Sequence, residues 1–192
     1  MPETILDYSH YFWLGSQIRL RAFTVDDADY RFAQSLDSVA RQVFNLGMEL
    51  PTTVELQKAY LEKVSGCQQV NNMIVFAIEN LDNELAGVLT MHSIDERHGK
   101  FSFGILVKRQ FRQRGYAEDA VRIVMKYGFR ERRFQKSDSA CAGDNIASIR
   151  LHQKLGFVEE GRRRRQWFYD GHFHDDILWG MTIEEYDANS AR

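Results

Sequence analysis

Lys100-Phe-Ser-Phe-Gly-Ile-Leu-Val-Lys-Arg-Gln-Phe-Arg-Gln-Arg-Gly-Tyr-Ala117 is the stretch on which the reading of the chain turns. Phe101, Phe103, Ile105 and Val107 fall at every second position, the period of a strand with one buried face, and the apolar run stops at Lys108. From Tyr116 the period changes. Ala117, Ala120, Val121, Val124, Met125 and Phe129 recur at three- and four-residue steps, which predicts an amphipathic helix, and Glu118 and Asp119 suit the positive end of its dipole. Between strand and helix lies Arg112-Gln-Arg-Gly115. The first N–H groups of a helix have no partners within it and point together at one spot, so this junction predicts a seat for a phosphate. Gly115 lets a ligand come close to the backbone, and Arg112 and Arg114 add forked donors. The plainer reading is a solvated basic turn. The Walker pattern GxxxxGK[ST] and the dinucleotide pattern GxGxxG are both missing, which argues against nucleoside triphosphates and NAD as ligands.

Arg112-x-x-Gly115-x-Ala117 after a strand resembles the [Q/R]-x-x-G-x-[G/A] signature of the GNAT N-acetyltransferases, which holds the pyrophosphate of acetyl-CoA. Asn145-Ile-Ala-Ser148-Ile-Arg-Leu-His152-Gln-Lys154-Leu-Gly156-Phe157 resembles a second block of that family. Phe76-Ala-Ile-Glu79 through Gly87-Val-Leu89 to Ile94-Asp95 is similar to the paired second and third strands of its RimJ/RimL-like (ribosomal-protein-alanine acetyltransferase-like) branch, and Asp170-Gly-His-Phe-His-Asp175 resembles its closing hairpin. The likeness runs from Ile18 to Tyr186.

The resemblance implies an α/β fold: a mixed, mostly antiparallel sheet of about seven strands, flanked by about four helices and splayed at the acetyl-CoA site. It implies transfer of an acetyl group to a primary amine by direct attack in a ternary complex, with no metal. The acceptor is a protein N-terminus or an amine on a small molecule or nucleotide sugar. Carried over residue by residue, Ile105, Leu106 and Val107 would pair with the pantetheine arm, Arg112, Gln113, Arg114, Gly115, Tyr116 and Ala117 would hold the pyrophosphate, and Asn145 and Ser148 would line the cofactor from the second helix. His152 stands where many relatives place a tyrosine that protonates the thiolate, and Ser102 where some carry a glutamate. The catalytic set read from sequence is His152 as proton donor with Asp95 or Glu79 as base; His92 and Asp175 are further candidates for the base. The alternative, suggested by Ser102 and His152 themselves, is a non-catalytic module that binds CoA as a sensor or interaction domain.

With 192 residues, 44% hydrophobic and 12% aromatic, the chain has the material for one core, and residues 1–192 read as a single domain. A net charge of −2 gives no reason to expect nucleic acid or an anionic membrane as partner. Met1 to Leu14 lack a basic segment followed by an apolar one, and no apolar run approaches bilayer length, so a cytoplasmic location is expected. Cys67 and Cys141 match no metal or redox spacing and read as buried free thiols.

Along the chain, Ile18 to Phe23 reads as a strand, and Thr24 with Asp27 as the start of a helix that buries Ala28, Phe32 and Leu36. A second helix follows Pro51 with Tyr60, Leu61 and Val64 inward. Met73–Ile78 and Leu85–Met91 form a hairpin about Leu81-Asp-Asn-Glu84; after the turn Asp95–Gly99 comes the quoted stretch, then a strand over Ser137–Ala142 and a helix over Asn145–Leu155 closed by Gly156. Val158–Tyr169 and Phe173–Ile183 make a hairpin about Asp170-Gly171. Arg162-Arg-Arg-Arg165 puts cations on both faces of one strand, which requires an edge or a protruding hairpin. Those arginines face solvent, an anionic part of the acceptor, or a second subunit of a homodimer.

Overall fold

A computed structural model describes residues 7–37, 50–64, 69 and 71–190. Seven strands form one sheet in the order β1-β2-β3-β4-β5-β7-β6: β1 Ile18–Arg21, β2 Ile74–Asn80, β3 Leu85–Asp95, β4 Lys100–Val107, β5 Lys136–Ala142, β6 Val158–Tyr169 and β7 His172–Thr182. Every neighbouring pair is antiparallel except β4 with β5. A parallel pair needs a long crossover, and here the helix predicted after Gly115 supplies it. It is α3, Tyr116–Lys126, prolonged by a single π turn over Tyr127–Glu131.

The other helices are α1 Ala28–Ser35, α2 Val54–Val64, α4 Ile146–Leu155 and α5 Ile183–Ser190. The described residues thus hold five α-helices where the resemblance implied about four. α5 is the addition, short and with no buried residue of its own, and its Tyr186 ring packs 4.8 Å from Phe129. β6 is the outer strand of the sheet and exposes Arg162, Arg163, Arg164 and Arg165, as cations on both faces required.

The period-two pattern of β4 decides which way the sheet faces. Phe101 and Phe103 are buried in the main core with Val121, Val124 and Met125 of α3, so Ser102, Gly104 and Leu106 belong to the opposite face. That face carries a smaller core in which Ala28 and Tyr30 of α1 and Leu61 of α2 meet Ala77 of β2. Two helix faces differ from the sequence expectation. Leu36 is exposed and Tyr30 buried in α1, because that helix is too short to bring Leu36 back over the sheet. In α2, Leu61 is buried but Tyr60 is exposed, covered on one side by the Arg31 guanidinium 4.4 Å from its ring centre. The Val64 side chain and Cys67 lie outside the described residues; Cys141 is a buried free thiol.

Candidate active site

β4 and β5 are paired only at Lys100↔Lys136, Phe101↔Ser137 and Ser102↔Asp138, whereas β3 follows β4 all the way to Gly87↔Val107. From Gly104 onward, therefore, one edge of β4 has no strand beside it. The gap between β4, α3 and α4 is a cleft of about 450 Å³. Ile105, Leu106 and Val107 line it from the strand, Arg112, Gln113, Gly115, Tyr116 and Ala117 from the loop and the start of α3, and Asn145 and Ser148 from α4. Of the residues assigned to the cofactor by resemblance, Arg114 alone does not line the cleft: its guanidinium lies over the Phe111 ring, 5.5 Å from the centre.

The loop owes its shape to two left-handed residues, Gln113 at φ 63° and Gly115 at φ 84°. Buried Phe111 anchors it on one side. On the other, the Asp119 carboxylate accepts from the N–H groups of Gln17 at 2.7 Å and Ile18 at 3.2 Å, tying α3 to β1. Among the described residues, the N–H groups of Tyr116, Ala117 and Glu118 find no main-chain acceptor, which is the ordinary condition of a helix's first turn and the basis of an anion seat. Arg109, Arg112, Arg150 and Lys154 surround the cleft against one carboxylate, Glu118. Lys154 and then Arg122 hold that carboxyl below its usual range. The Arg112 Nε donates to the Val107 carbonyl at 3.1 Å, fixing the guanidinium at the rim. Asn145 caps α4, its side-chain oxygen accepting from the Ser148 N–H at 3.1 Å, which leaves the amide N–H₂ as its donor.

The three residues read as catalytic are not brought together. His152 is only 2% exposed and lies on the core side, stacked between Phe103 (5.4 Å) and Trp179 (5.3 Å). Its Nδ1 is 2.8 Å from the Ser148 carbonyl, which can only accept, so Nδ1 carries the proton and Nε2 accepts from the Ser139 hydroxyl at 2.8 Å. Burial pushes its pKa down to about 4. A neutral imidazole with both nitrogens engaged is no proton donor at pH 7.

Glu79 is buried beneath two arginines of β1, accepting from Arg19 and, at 2.7 Å, from Arg21, which also reaches Asp27. Both of its carboxylate oxygens are engaged by guanidiniums of β1, so Glu79 ties β1 to β2, and it does not line the cleft. Asp95 accepts from the N–H and ring of His98 and closes the turn before β4. It sits opposite Lys100, five strand positions from Ile105, or roughly 16 Å from the cleft at the usual rise per residue. Asp175 accepts from the Arg165 N–H at 2.9 Å within the β6–β7 hairpin.

The family model described as an acetyltransferase (GNAT) domain matches residues 17–158. The chain belongs to the GNAT acetyltransferase family. It is an acyltransferase by that membership. Among its relatives, the SPbeta prophage-derived uncharacterized N-acetyltransferase YokL of Bacillus subtilis is 29% identical over 93% of this chain and 97% of its own length. The putative ribosomal N-acetyltransferase YdaF of the same organism is 26% identical over 56% of this chain and 58% of its own length. The fold matches that of the Vibrio cholerae spermidine N-acetyltransferase solved with CoA and spermine, with a TM-score of 0.76 at 21% identity over 89% of this chain and 98% of that one.

Proposed function

We propose that the protein moves the acetyl group of acetyl-CoA to a primary amine by direct attack within a ternary complex. The observation that carries this reading is the free edge of β4, which leads to a loop of unpaired N–H donors inside a cation-lined cleft. A diphosphate suits the donors at the start of α3, and an amide-bearing arm suits a strand edge with free hydrogen-bonding groups and fixed spacing. When bound, acetyl-CoA supplies the activated acyl carbon. The residues of the chain bind and orient it: Arg112 and the N–H groups of Tyr116 and Ala117 at the phosphates, Ile105 to Val107 along the arm, Asn145 from across the cleft. The acceptor is an amine on a protein N-terminus, as the RimJ/RimL-like resemblance suggests, or on a small molecule.

Thiol release from acetyl-CoA, followed with a panel of N-terminal peptides, polyamines and amino sugars, tests the reading. Acceptor-dependent thiol release with at least one class is expected. Tight binding of acetyl-CoA with no acceptor-dependent release across the panel would make the protein a CoA-binding module instead.

A further inference from the structure

The proposed reaction needs a group to take the proton that the attacking amine gives up, and the position of the glutamate used by some relatives is occupied by Ser102. Glu79, Asp95 and Asp175 are engaged elsewhere, as described above. His92 of β3 is the cross-strand partner of Ser102 and shares its face of the sheet, the face opposite His152. Its ring lies over Gly104: a Cβ built there would stand 3.9 Å from His92 Nε2. Gly104 falls between Ser102, the last β4 residue paired with β5, and Ile105, the first that lines the cleft. The small side chain of Ser102 and the lack of one at Gly104 leave the imidazole room at the point where the two strands part.

The local backbone is arranged around this ring. β3 is irregular immediately after His92, and Ser93 adopts φ 50°, a left-handed conformation that is unfavourable for serine. That turn brings the Ser93 hydroxyl within 3.1 Å of His92 Nδ1. Nδ1 thus lies beside the Ser93 hydroxyl, and Nε2 is the ring nitrogen on the Gly104 side. On the same face, two strand positions beyond Gly104, Leu106 opens onto a hollow of about 290 Å³ that Tyr30, Gln34 and Lys108 also line, a space for the body of an acceptor. The charged groups on the neighbouring strands are engaged with one another: Asp138 pairs with Lys100 and Lys136, each at 3.2 Å.

We infer that His92 is the catalytic base of the acetyl transfer, with Ser93 as its positioning residue. This rests on the acetyl-transfer reading above. The amine nitrogen bonds to the thioester carbon and gives its proton to His92 Nε2. The carbon–sulfur bond breaks, the CoA thiolate takes a proton from water, and the imidazolium returns its own to solvent. Burial lowers the pKa of His92 below the ordinary histidine value, opposed by the Phe103 carbonyl, so the ring is neutral and ready at pH 7.

The test compares wild type with His92→Gln and His92→Ala, using thiol release with the amine panel between pH 5 and 9 and the calorimetric Kd for acetyl-CoA in the same preparations. The inference expects kcat/KM for the acceptor to fall about 100-fold in His92→Gln while Kd changes less than about twofold, which also shows that the variant is folded. Added imidazole should restore part of the rate in His92→Ala, and the decline of the wild-type rate on the acid side should move in Ser93→Ala. If wild type turns over an amine and His92→Gln keeps its rate within threefold, the base is another group and acetyl transfer stands. If wild type binds acetyl-CoA and releases no thiol with any amine, the transfer reading falls and the base with it.

Discussion

The two ends of β4 differ in what holds them. Lys100 to Ser102 lie between β3 and β5 and pack Phe101 against Phe129 and Phe134. Ile105 to Val107 have β3 on one side and a cleft on the other. The closed end is set by aromatic packing and the open end by a glycine, a left-handed loop and a helix start. One strand thus serves as core at one end and as binding edge at the other, and the boundary falls at Gly104. The two histidines repeat the contrast across the sheet. His152 is enclosed on the core face with both nitrogens satisfied, whereas His92 lies partly exposed on the other face above that boundary.

If this division is right, changes on the enclosed side alter stability without altering acetyl-CoA affinity, and changes at the open end do the reverse. The largest effect is expected from His152→Ala, which leaves a cavity between Phe103 and Trp179 and strips Ser139 of its acceptor; denaturant unfolding should show a loss of about 3 kcal/mol. The same residue gives a pH signature. Its folded pKa, about 4, lies below the unfolded value near ~6.5, so in that window the unfolded chain binds more protons. Stability is therefore full above about pH 6.5 and declines as pH falls toward 4, by up to roughly 1.4 kcal/mol per pH unit from this group. In His152→Phe that part of the slope should vanish from the unfolding curves.

At the open end, Gly115→Val forces a β-branched side chain to φ 84° and places atoms against the Gln17 side chain. Calorimetry should show acetyl-CoA binding weakened about 50-fold, with unfolding changed by only about 1 kcal/mol. A comparable loss of both would blur the boundary. Glu79→Gln, two strands away from the cleft and outside its lining, should cost about 1–2 kcal/mol in denaturant melts by weakening the hold on Arg19 and Arg21, with kcat unchanged. Asp95→Asn should be the mildest, leaving the denaturant midpoint and turnover unchanged, because its partner His98 is local and exposed.

Much of this division was legible in the sequence. The change of period from two to three-and-four across Arg112–Gly115 marked strand, loop and helix, and Asp170-Gly171 and Gly156 marked a hairpin and a helix end by their left-handed φ requirements. The cleft residues gather because they lie on two local motifs. The catalytic assignments were harder, because whether a side chain is already engaged depends on distant partners. Glu79 is held by arginines 58 and 60 residues earlier in the chain. His152 is enclosed by Phe103, Ser139 and Trp179 from three strands. Asp95 was the exception: an Asp three residues before a His in a turn ending at glycine is a local pairing that the sequence itself displays. The hydroxyl of Ser93 behind His92 depends on a backbone irregularity that no residue pattern announces.

Amide hydrogen exchange with and without acetyl-CoA tests the division most directly. The account predicts that the segments Ile105–Val107 and Gln113–Ala117 slow markedly on binding while Lys100–Ser102 keeps its rate. Binding that leaves both of those segments unprotected, or that protects only residues away from the cleft, would contradict it.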